Sequence, residues 1–133
     1  MIKEITTYLK SLLGTPWVIG TNLFAGFVPA NVTVDCLIIV ESGGVPNFYL
    51  TDRQEKAVQI LSRAADYNDA MDNAMTAYTA LHGKAGITLS VLVVGEAYYV
   101  DTIEAISLPQ SVGQDEKGLF NISTNFIFRL RAA

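Results

Sequence analysis

The sequence predicts an α+β domain, in which a mostly antiparallel β-sheet carries an N-terminal helix and a central helix packed on one face. Apolar residues recur at helical spacing in two separate segments. After the second segment, apolar and polar residues alternate in stretches typical of three consecutive strands. A chain of 133 residues can bury one core, so we expect a single domain over residues 1–133.

The N-terminal segment predicts an amphipathic helix over residues 2–13. Its apolar positions follow helical spacing and are Ile2, Ile5, Tyr8, Leu9, Leu12 and Leu13. Gly14 follows directly, at the position where a helix end favours glycine. Polar residues interrupt the apolar ones throughout this segment, so it lacks the continuous apolar stretch of a secretory signal. We therefore expect intracellular synthesis.

The next part of the chain predicts a loop, an ambiguous patch and a strand. Residues 15–22 contain Pro and Gly and predict a loop. The patch that follows contains Phe24 and Phe27, ends at Pro29, and fits no single element. Val34–Val40 is rich in Val, Ile and Leu, which predicts a buried strand. Turn-forming residues come after it, namely Ser42, Gly43 and Gly44.

Residues 52–65 fit both a helix and a strand. Asp52 and Glu55 have the spacing of a capping box. Several apolar residues lie on one helical face, namely Ala57, Val58, Leu61, Ala64 and Ala65. The same segment also alternates at strand spacing from position 58 to position 64. The residues alone leave the choice open.

The central helix is the most strongly indicated element. Residues 66–69, Asp-Tyr-Asn-Asp, supply candidate N-caps. An apolar stripe follows at helical spacing, made of Ala70, Ala74, Ala77 and Leu81. His82 and Gly83 come after it, as expected at a helix C-terminus.

Three strands are predicted after the central helix. Residues 87–93 alternate at strand spacing, and Gly95-Glu96 indicates a turn into a second strand over Tyr98–Leu108. Pro109 ends that strand, and the segment up to Gly118 predicts a loop. The third strand has the clearest alternation, with one face formed by Phe120, Ile122, Thr124, Phe126, Phe128 and Leu130.

Composition disfavours several classes of protein. The net charge is −4 and no basic run occurs, so the electrostatic footprint of a nucleic-acid-binding protein is missing. No apolar run approaches the roughly 20 residues that a membrane-spanning helix needs, so we expect no contact with a membrane. The only cysteine, Cys36, lies in an apolar stretch and is expected to be a small buried residue.

No residue pattern in the chain predicts catalysis, a metal or another cofactor. His82 is the only histidine, and its position at a helix terminus favours a capping role over that of a general base. The acidic residues Asp66, Asp69 and Asp72 lack the alternate spacing and central glycine of a calcium loop. Asp115 and Glu116 are adjacent in a predicted loop, which favours a solvated turn over a pair of catalytic carboxylates.

Two stretches resemble the phage tail terminator family, whose members are also called tail completion or minor capsid proteins. The first is QILSRAADYNDAMDNAMTAYTALHG, residues 59–83. The second is ISLPQSVGQDEKGLFNISTNFIFRLR, residues 106–131, with its Gly-x-Asp-Glu-x-Gly loop. The resemblance implies a strand before Asp66-Tyr67, and on that basis we predict a strand near residues 56–64.

The resemblance also implies a structural role in the virion, at the junction of head and tail. Such proteins form a hexameric ring on the last ring of tail tube protein, end tail polymerisation, and present the surface on which the head connector protein docks. DNA would pass through the ring passively. The alternatives are another head-to-tail connection protein (stopper or adaptor), a small-molecule-binding α+β domain and, last, a nucleic-acid-binding accessory protein.

Two hypotheses concern the residues of such a ring. The first places subunit or tail contacts in the loop from Pro109 to Gly118 and in the Tyr98–Leu108 strand beside it, with the candidate residues Tyr98, Tyr99, Pro109, Asp115, Glu116, Lys117 and Gly118. The second places carboxylates along the lumen, where they would repel DNA phosphates and allow sliding. The candidates for the lumen are Asp66, Asp69 and Asp72, or Asp115 and Glu116.

Overall fold

The computed structural model describes residues 2–28, 34–46, 53–90 and 97–132. They fold into a seven-stranded, mostly antiparallel sheet with two helices. This architecture confirms the predicted α+β class. The elements follow one another as α1 (Ile2–Leu13), β1 (Leu23–Ala25), β2 (Cys36–Pro46), β3 (Arg53–Ala64), α2 (Tyr67–Leu81), β4 (Ala85–Ser90), β5 (Ala97–Ala105), β6 (Gln110–Gln114) and β7 (Phe120–Ala132).

Strand β7 lies at the centre of the sheet, whose order is β1-β2-β3-β7-β5-β4. On one side, β7 pairs with β3 along its length, from Phe120 opposite Ala64 to Arg131 opposite Arg53. On the other side, its C-terminal part pairs with β5 and its N-terminal part with β6. Both β5 and β6 therefore run along the same edge of β7. All of these pairings are antiparallel, whereas β1 pairs with β2 in parallel.

Both helices lie where the sequence predicts them. In α1, Ile5 and Leu9 are fully buried in the core, and the backbone N–H of Gly14 donates to the carbonyl of Lys10 at 2.9 Å. Gly14 has a φ of 67°, which glycine adopts without strain. In α2, Asp66 is the N-cap and its carboxylate accepts from the backbone N–H of Asn68 at 2.8 Å. The sequence therefore determines both helices locally.

The core lies between the helices and one face of the sheet. The stripe of small residues on α2 is buried, so this helix can approach the sheet closely. The largest fully buried side chains come from the covered face of the strands and from α1 and α2, and include Phe126, Phe128, Ile60, Leu37, Ile39, Leu9 and Leu81. The sheet face on the other side carries no helix in the part of the chain that the structure describes, and we call it the helix-free face.

The segment whose sequence fits both a helix and a strand forms strand β3, Arg53–Ala64, as the resemblance implies. It lies between β2 and β7 and pairs with both. Val58, Ile60, Ser62 and Ala64 are buried on the covered face, and Gln59, Leu61 and Arg63 lie on the helix-free face. Pairing along both edges satisfies the backbone groups of β3, so tertiary context overrides the helix propensity of this segment.

The turn predicted at Ser42-Gly43-Gly44 is wrong, because β2 continues through these residues to Pro46. The register with β3 shifts between Glu41 and Gly44, which marks a bulge. Gly43 has a φ of 92°, a conformation that favours glycine. The glycines therefore accommodate an extra residue within the strand and do not end it. The strand begins at Cys36, two residues after the predicted start.

The second strand after α2 ends at Ala105, three residues before the predicted end at Leu108. The loop predicted from Pro109 to Gly118 is also wrong in part, because Gln110–Gln114 forms β6 and only the turn that follows is irregular. Four strands therefore follow α2 instead of three. Val91, Val93 and the turn predicted at Gly95-Glu96 lie outside the described residues.

The ambiguous patch after the first loop contains the short strand β1. Leu23 is buried in the core, while Phe24 lies on the helix-free face with Cys36 and Ile38. Cys36 is fully buried, as predicted, and burial raises the pKa of its thiol. Pro29 lies outside the described residues. None of the helices described has the length and apolar character that crossing a membrane requires.

Candidate functional site

The two stretches that carry the family resemblance meet at one ion pair. Arg63 lies at the end of β3 and Asp115 follows β6, and Nη2 of the arginine lies 2.5 Å from Oδ2 of the aspartate. The Arg63 side chain is almost entirely buried, whereas that of Asp115 is partly exposed. The hydrogen bond from the guanidinium lowers the pKa of the Asp115 carboxyl below its ordinary value. The ion pair thus ties β3 to the turn between β6 and β7.

Asp115 also organises the turn in which it lies. Its Oδ1 accepts from the backbone N–H of Lys117 at 2.9 Å and from that of Leu119 at 3.1 Å. The backbone N–H of Gly118 donates to the carbonyl of Asp115 at 3.0 Å, and Gly118 has a φ of 79°. An aspartate that accepts from the backbone just after it is a common turn-forming device. One carboxylate therefore shapes the turn and anchors it.

The beginning of α2 packs against the same part of the sheet. The Tyr67 ring meets the Phe120 ring edge to face, with centroids 5.7 Å apart. The Ser62 hydroxyl donates to the carbonyl of Ala70 at 2.7 Å. Ile122 packs with small residues of β3 and α2 in a separate buried cluster. The end of β3, the start of α2 and the β6–β7 hairpin therefore form one unit, which we call the hairpin corner.

Exposed apolar side chains follow one another from the end of β5 into β6. Ile106, Leu108 and Val112 are 59%, 64% and 57% exposed. All five residues of β6 are exposed, and among the described strands β6 pairs with β7 alone. A short edge strand with a run of exposed apolar residues is a typical surface for protein contacts. We call residues 106–112 the apolar arm.

The residues after α2 cover the edge of β5 only up to the start of this arm. The backbone N–H of Gly83 donates to the carbonyl of Ile103 at 3.0 Å, and the backbone N–H of Ile103 donates to the carbonyl of Lys84 at 2.8 Å. The N–H of Ala105 donates to Nδ1 of His82 at 3.0 Å, and the imidazole stacks on Tyr78. His82 therefore caps the edge of β5, and its N–H also ends α2, a structural role in line with the predicted capping role.

The far end of the helix-free face carries paired charges. Arg129 of β7 lies between Glu55 of β3 and Glu104 of β5. Its Nε is 3.3 Å from Oε1 of Glu55, and its Nη1 is 2.7 Å from Oε2 of Glu104. Arg131 approaches Asp101 at 4.0 Å, and its guanidinium carbon lies 4.7 Å from the centroid of the Tyr99 ring. These pairs are largely exposed and each contributes at most about 1 kcal/mol. This end of the sheet is thus a solvated, charge-balanced surface.

The predicted contact residues fall into two groups at opposite ends of β7. The first group is Asp115, Glu116, Lys117 and Gly118 in the turn of the hairpin corner, together with Pro109, which lies in the apolar arm just before β6. Tyr99 instead lies opposite Arg131, and Tyr98 is paired through its backbone with Ala132, while its side chain lies outside what the structure describes. Arg131, opposite Tyr99, and Asn121, opposite Gly113, are ten positions apart on β7. At about 3.3 Å per residue, about 33 Å of strand separates the two groups.

The sequence predicts no role for Arg63 or for the exposed apolar residues Ile106, Leu108 and Val112, although the strand and loop that contain these three are predicted to make contacts. Arg63 carried one signal, because it is a charged residue in the middle of an apolar strand pattern, and such a residue needs a partner when buried. The arm carries no periodic signal, since its apolar residues are separated by a proline and three polar residues. Within the described ranges, no three His, Cys, Asp or Glu side chains come together as metal ligands.

Comparison with known proteins bears on this site. A family model described as bacteriophage tail terminator protein matches residues 8–131. A chain from a solved structure titled "Virion of native gene transfer agent (GTA) particle" has a TM-score of 0.66 and 14% sequence identity, covering 96% of this chain and 93% of that chain. At this identity the likeness shows the fold alone. No curated protein matched the sequence.

Proposed function

Because the chain belongs to the bacteriophage tail terminator family and is a structural protein of the phage tail, we propose that it closes the tail tube as a homo-oligomeric ring. The ring, a hexamer by resemblance, would sit on the last ring of tail tube protein, end polymerisation, and form the tail side of the junction with the head connector protein. The family match over residues 8–131 carries this proposal. The role is structural and non-enzymatic.

The exposed surface suits a subunit that is completed by other subunits. A ring uses heterologous contacts, in which one patch of each subunit meets a different patch of the next. The apolar arm is exposed in the single chain and borders an edge strand, so a contact there would bury apolar surface. The Arg63–Asp115 pair and the turn around Asp115 hold this surface in one conformation, which lowers the entropic cost of binding.

The contact residues proposed from the sequence belong to two areas in this picture. The hairpin corner contributes Glu116, Lys117 and Gly118 directly, Pro109 lies in the apolar arm beside it, and Asp115 shapes the turn from within. Tyr99, about 33 Å away along β7, belongs to a second area together with Tyr98. Two areas this far apart fit a subunit that contacts two different neighbours, either two copies of itself or one copy and the tail tube.

The ion pairs of the structure distinguish between the two sets of carboxylates that are candidates for the lumen. Asp115 is paired with Arg63, so its charge is compensated and it contributes little to repulsion of DNA. Asp66, Asp69 and Asp72 are exposed along the first turns of α2 and form no ion pair within the described residues. We therefore propose that this acidic ridge of α2, and not the Asp115 turn, faces the lumen and lets DNA pass without binding.

The proposal is tested with the purified protein and with phage that lack it. We expect ring-shaped particles with six-fold symmetry in negative-stain images, and copurification with tail tube subunits. A phage without the protein should make tails of uncontrolled length that do not join filled heads. Uniform tails joined to filled heads in that phage would contradict the proposal, and copurification with the head connector alone would assign the protein to the stopper or adaptor class instead.

A further inference from the structure

His82 holds the last residue of β5 just before the apolar arm begins. The backbone N–H of Ala105 is directed away from β7 and donates to Nδ1 of His82 at 3.0 Å. On the other side, the backbone N–H of Ile106 donates to the carbonyl of Asn125 in β7 at 2.8 Å. The start of the arm is thus fixed from two sides, by His82 and by β7.

The bond from Ala105 requires a neutral imidazole. A ring nitrogen accepts a hydrogen bond only while it carries no proton, so the proton of the neutral His82 ring is on Nε2. Protonation turns Nδ1 into a donor, which then faces the N–H donor of Ala105. His82 is exposed, so its ring exchanges protons with the solvent directly. Acid therefore removes the acceptor that holds the start of the arm.

The imidazole is also held in place by α2. It stacks on the Tyr78 ring, with centroids 5.2 Å apart and an angle of 15° between the planes. The backbone N–H of His82 donates to the carbonyl of Tyr78 at 2.9 Å, which fixes the position of the side chain further. A protonated ring that keeps this stack places two donors against each other, and a ring that leaves it moves away from Ala105. In both cases Ala105 loses its acceptor.

We propose that His82 and Ala105 form a pH-sensitive clasp, which is closed at neutral pH and opens when the imidazole is protonated. With the clasp open, the start of the apolar arm is held from the side of β7 alone. A less ordered arm raises the entropic cost of any contact made through it. The clasp is a property of the single chain and does not depend on the proposed ring.

The charged groups that face His82 do not supply the same switch. The pocket beside the ring has a volume of about 250 Å³, and its charged lining residues are Lys84 of the same turn, Glu104 of β5 and Arg129 of β7. Oε2 of Glu104 is 2.7 Å from Nη1 of Arg129, so these two charges compensate each other. Among these residue types and tyrosine, which Tyr78 contributes, histidine is the one that ordinarily changes charge between about pH 5 and pH 8.

Amide hydrogen exchange of the full chain, followed by NMR at pH 7.5 and pH 5, tests the clasp. The protection factor of the Ala105 amide, which is corrected for the intrinsic effect of pH on exchange, should fall by about three- to ten-fold in acid. Ile103 is the internal control, because its N–H donates at the same edge to the carbonyl of Lys84, which does not titrate. Its protection factor should stay the same. An unchanged Ala105, or an equal fall at both amides, would overturn the clasp.

Two variants separate the acceptor from the ring. In His82→Asn, the side-chain Oδ1 is as many bonds from Cα as Nδ1 is, and it accepts at either pH, so Ala105 should stay protected in acid. His82→Phe keeps a ring that can stack on Tyr78 but has no acceptor, so Ala105 should exchange fast at both pH values. If acid lowers the protection of Ala105 in His82→Asn as much as in the wild type, another group is responsible and the proposal is wrong.

A measurement on the wild type tests the same bond without any substitution. A long-range ¹H–¹⁵N correlation spectrum of the imidazole at pH 7.5 distinguishes the two neutral forms of the ring. We expect Nε2 to be protonated and Nδ1 to be bare, as the bond from Ala105 requires. A proton on Nδ1 at this pH would refute the clasp, even if neither variant folds.

Discussion

A buried hydroxyl without a partner predicts that replacing Thr124 by valine stabilises the fold. Thr124 lies in the middle of β7, opposite Ile60 of β3, on the face that the helices cover. Its side chain is fully buried, and its Oγ1 has no hydrogen-bond partner in the part of the chain that the structure describes. Removing a hydroxyl from water without replacing its hydrogen bond costs about 1–3 kcal/mol.

Valine has nearly the same shape as threonine and carries a methyl group in place of the hydroxyl. Thr124→Val therefore removes the desolvation cost without opening a cavity, and it places a residue of high strand propensity in a central strand. We expect the free energy of unfolding to rise by about 1–2 kcal/mol, which for a domain of this size raises Tm by about 3–8 °C. Urea unfolding at a fixed protein concentration measures the change without interference from oligomerisation.

Thr6→Val is the matched control. Thr6 is equally buried, but its hydroxyl donates to the carbonyl of Ile2 at 2.7 Å. Losing that bond should lower the free energy of unfolding by about 0.5–1.5 kcal/mol. The same substitution should thus have opposite signs at the two sites. If Thr124→Val lowers stability as Thr6→Val does, the Thr124 hydroxyl has a partner in solution, for example a trapped water, and the reasoning is refuted.

Four further substitutions test other features of the structure. Asp115→Asn should lower the urea midpoint at pH 6. Because Arg63 lowers the pKa of the folded Asp115 below its ordinary value of 3.8, this stabilisation is complete above that value and is lost as the pH falls through the lowered pKa, so the midpoints should converge in strong acid. Gly118→Ala should cost about 1–2 kcal/mol through backbone strain at a φ of 79°, seen as a lower Tm, since nothing lies within 4 Å of the added methyl. Phe126→Ala should cost about 3–5 kcal/mol by opening a cavity in the core, and a smaller loss in calorimetry would mean that the site collapses. Arg129→Met should change stability by less than about 1 kcal/mol and less still in high salt, since its carboxylate partners are exposed.

Local signals in the sequence account for the two helices and the last strand. Gly14 and Asp66 mark helix ends by their own backbone chemistry, and β7 alternates because one of its faces is covered and the other is not. Each of these signals depends on residues within a few positions of one another. The predicted and observed bounds of α1 agree for that reason.

The errors arose where pairing with distant residues decides the structure. The glycines after Val40 have turn chemistry, but β3 pairs with β2 on both sides of them, so the chain continues through a bulge. Strand β6 has no apolar alternation of its own, and pairing with β7 alone makes it a strand. Segment 53–64 has helix propensity, and only the resemblance favoured the strand that β2 and β7 impose.

The candidate site was only partly predictable for the same reason. The Gly-x-Asp-Glu-x-Gly stretch is among the candidate residues that the sequence predicts, but its anchor, Arg63, is 52 positions away and has no local link to it. Their closeness in sequence groups Tyr98 and Tyr99 with the turn, whereas most of the length of β7 separates them from it in space. Proximity along an extended chain is a poor guide to proximity in a sheet.

The central position of β7 has a consequence for the timing of assembly. This strand is synthesised after all the other described elements, yet β3, β5 and β6 each depend on it for hydrogen bonds. A nascent chain that lacks β7 lacks the strand that joins β3 to β5 and that pairs with β6, and such long-range pairings form slowly. In the proposed ring, a subunit able to associate would therefore appear only after the whole domain has been translated, and incomplete chains would stay out of the assembly.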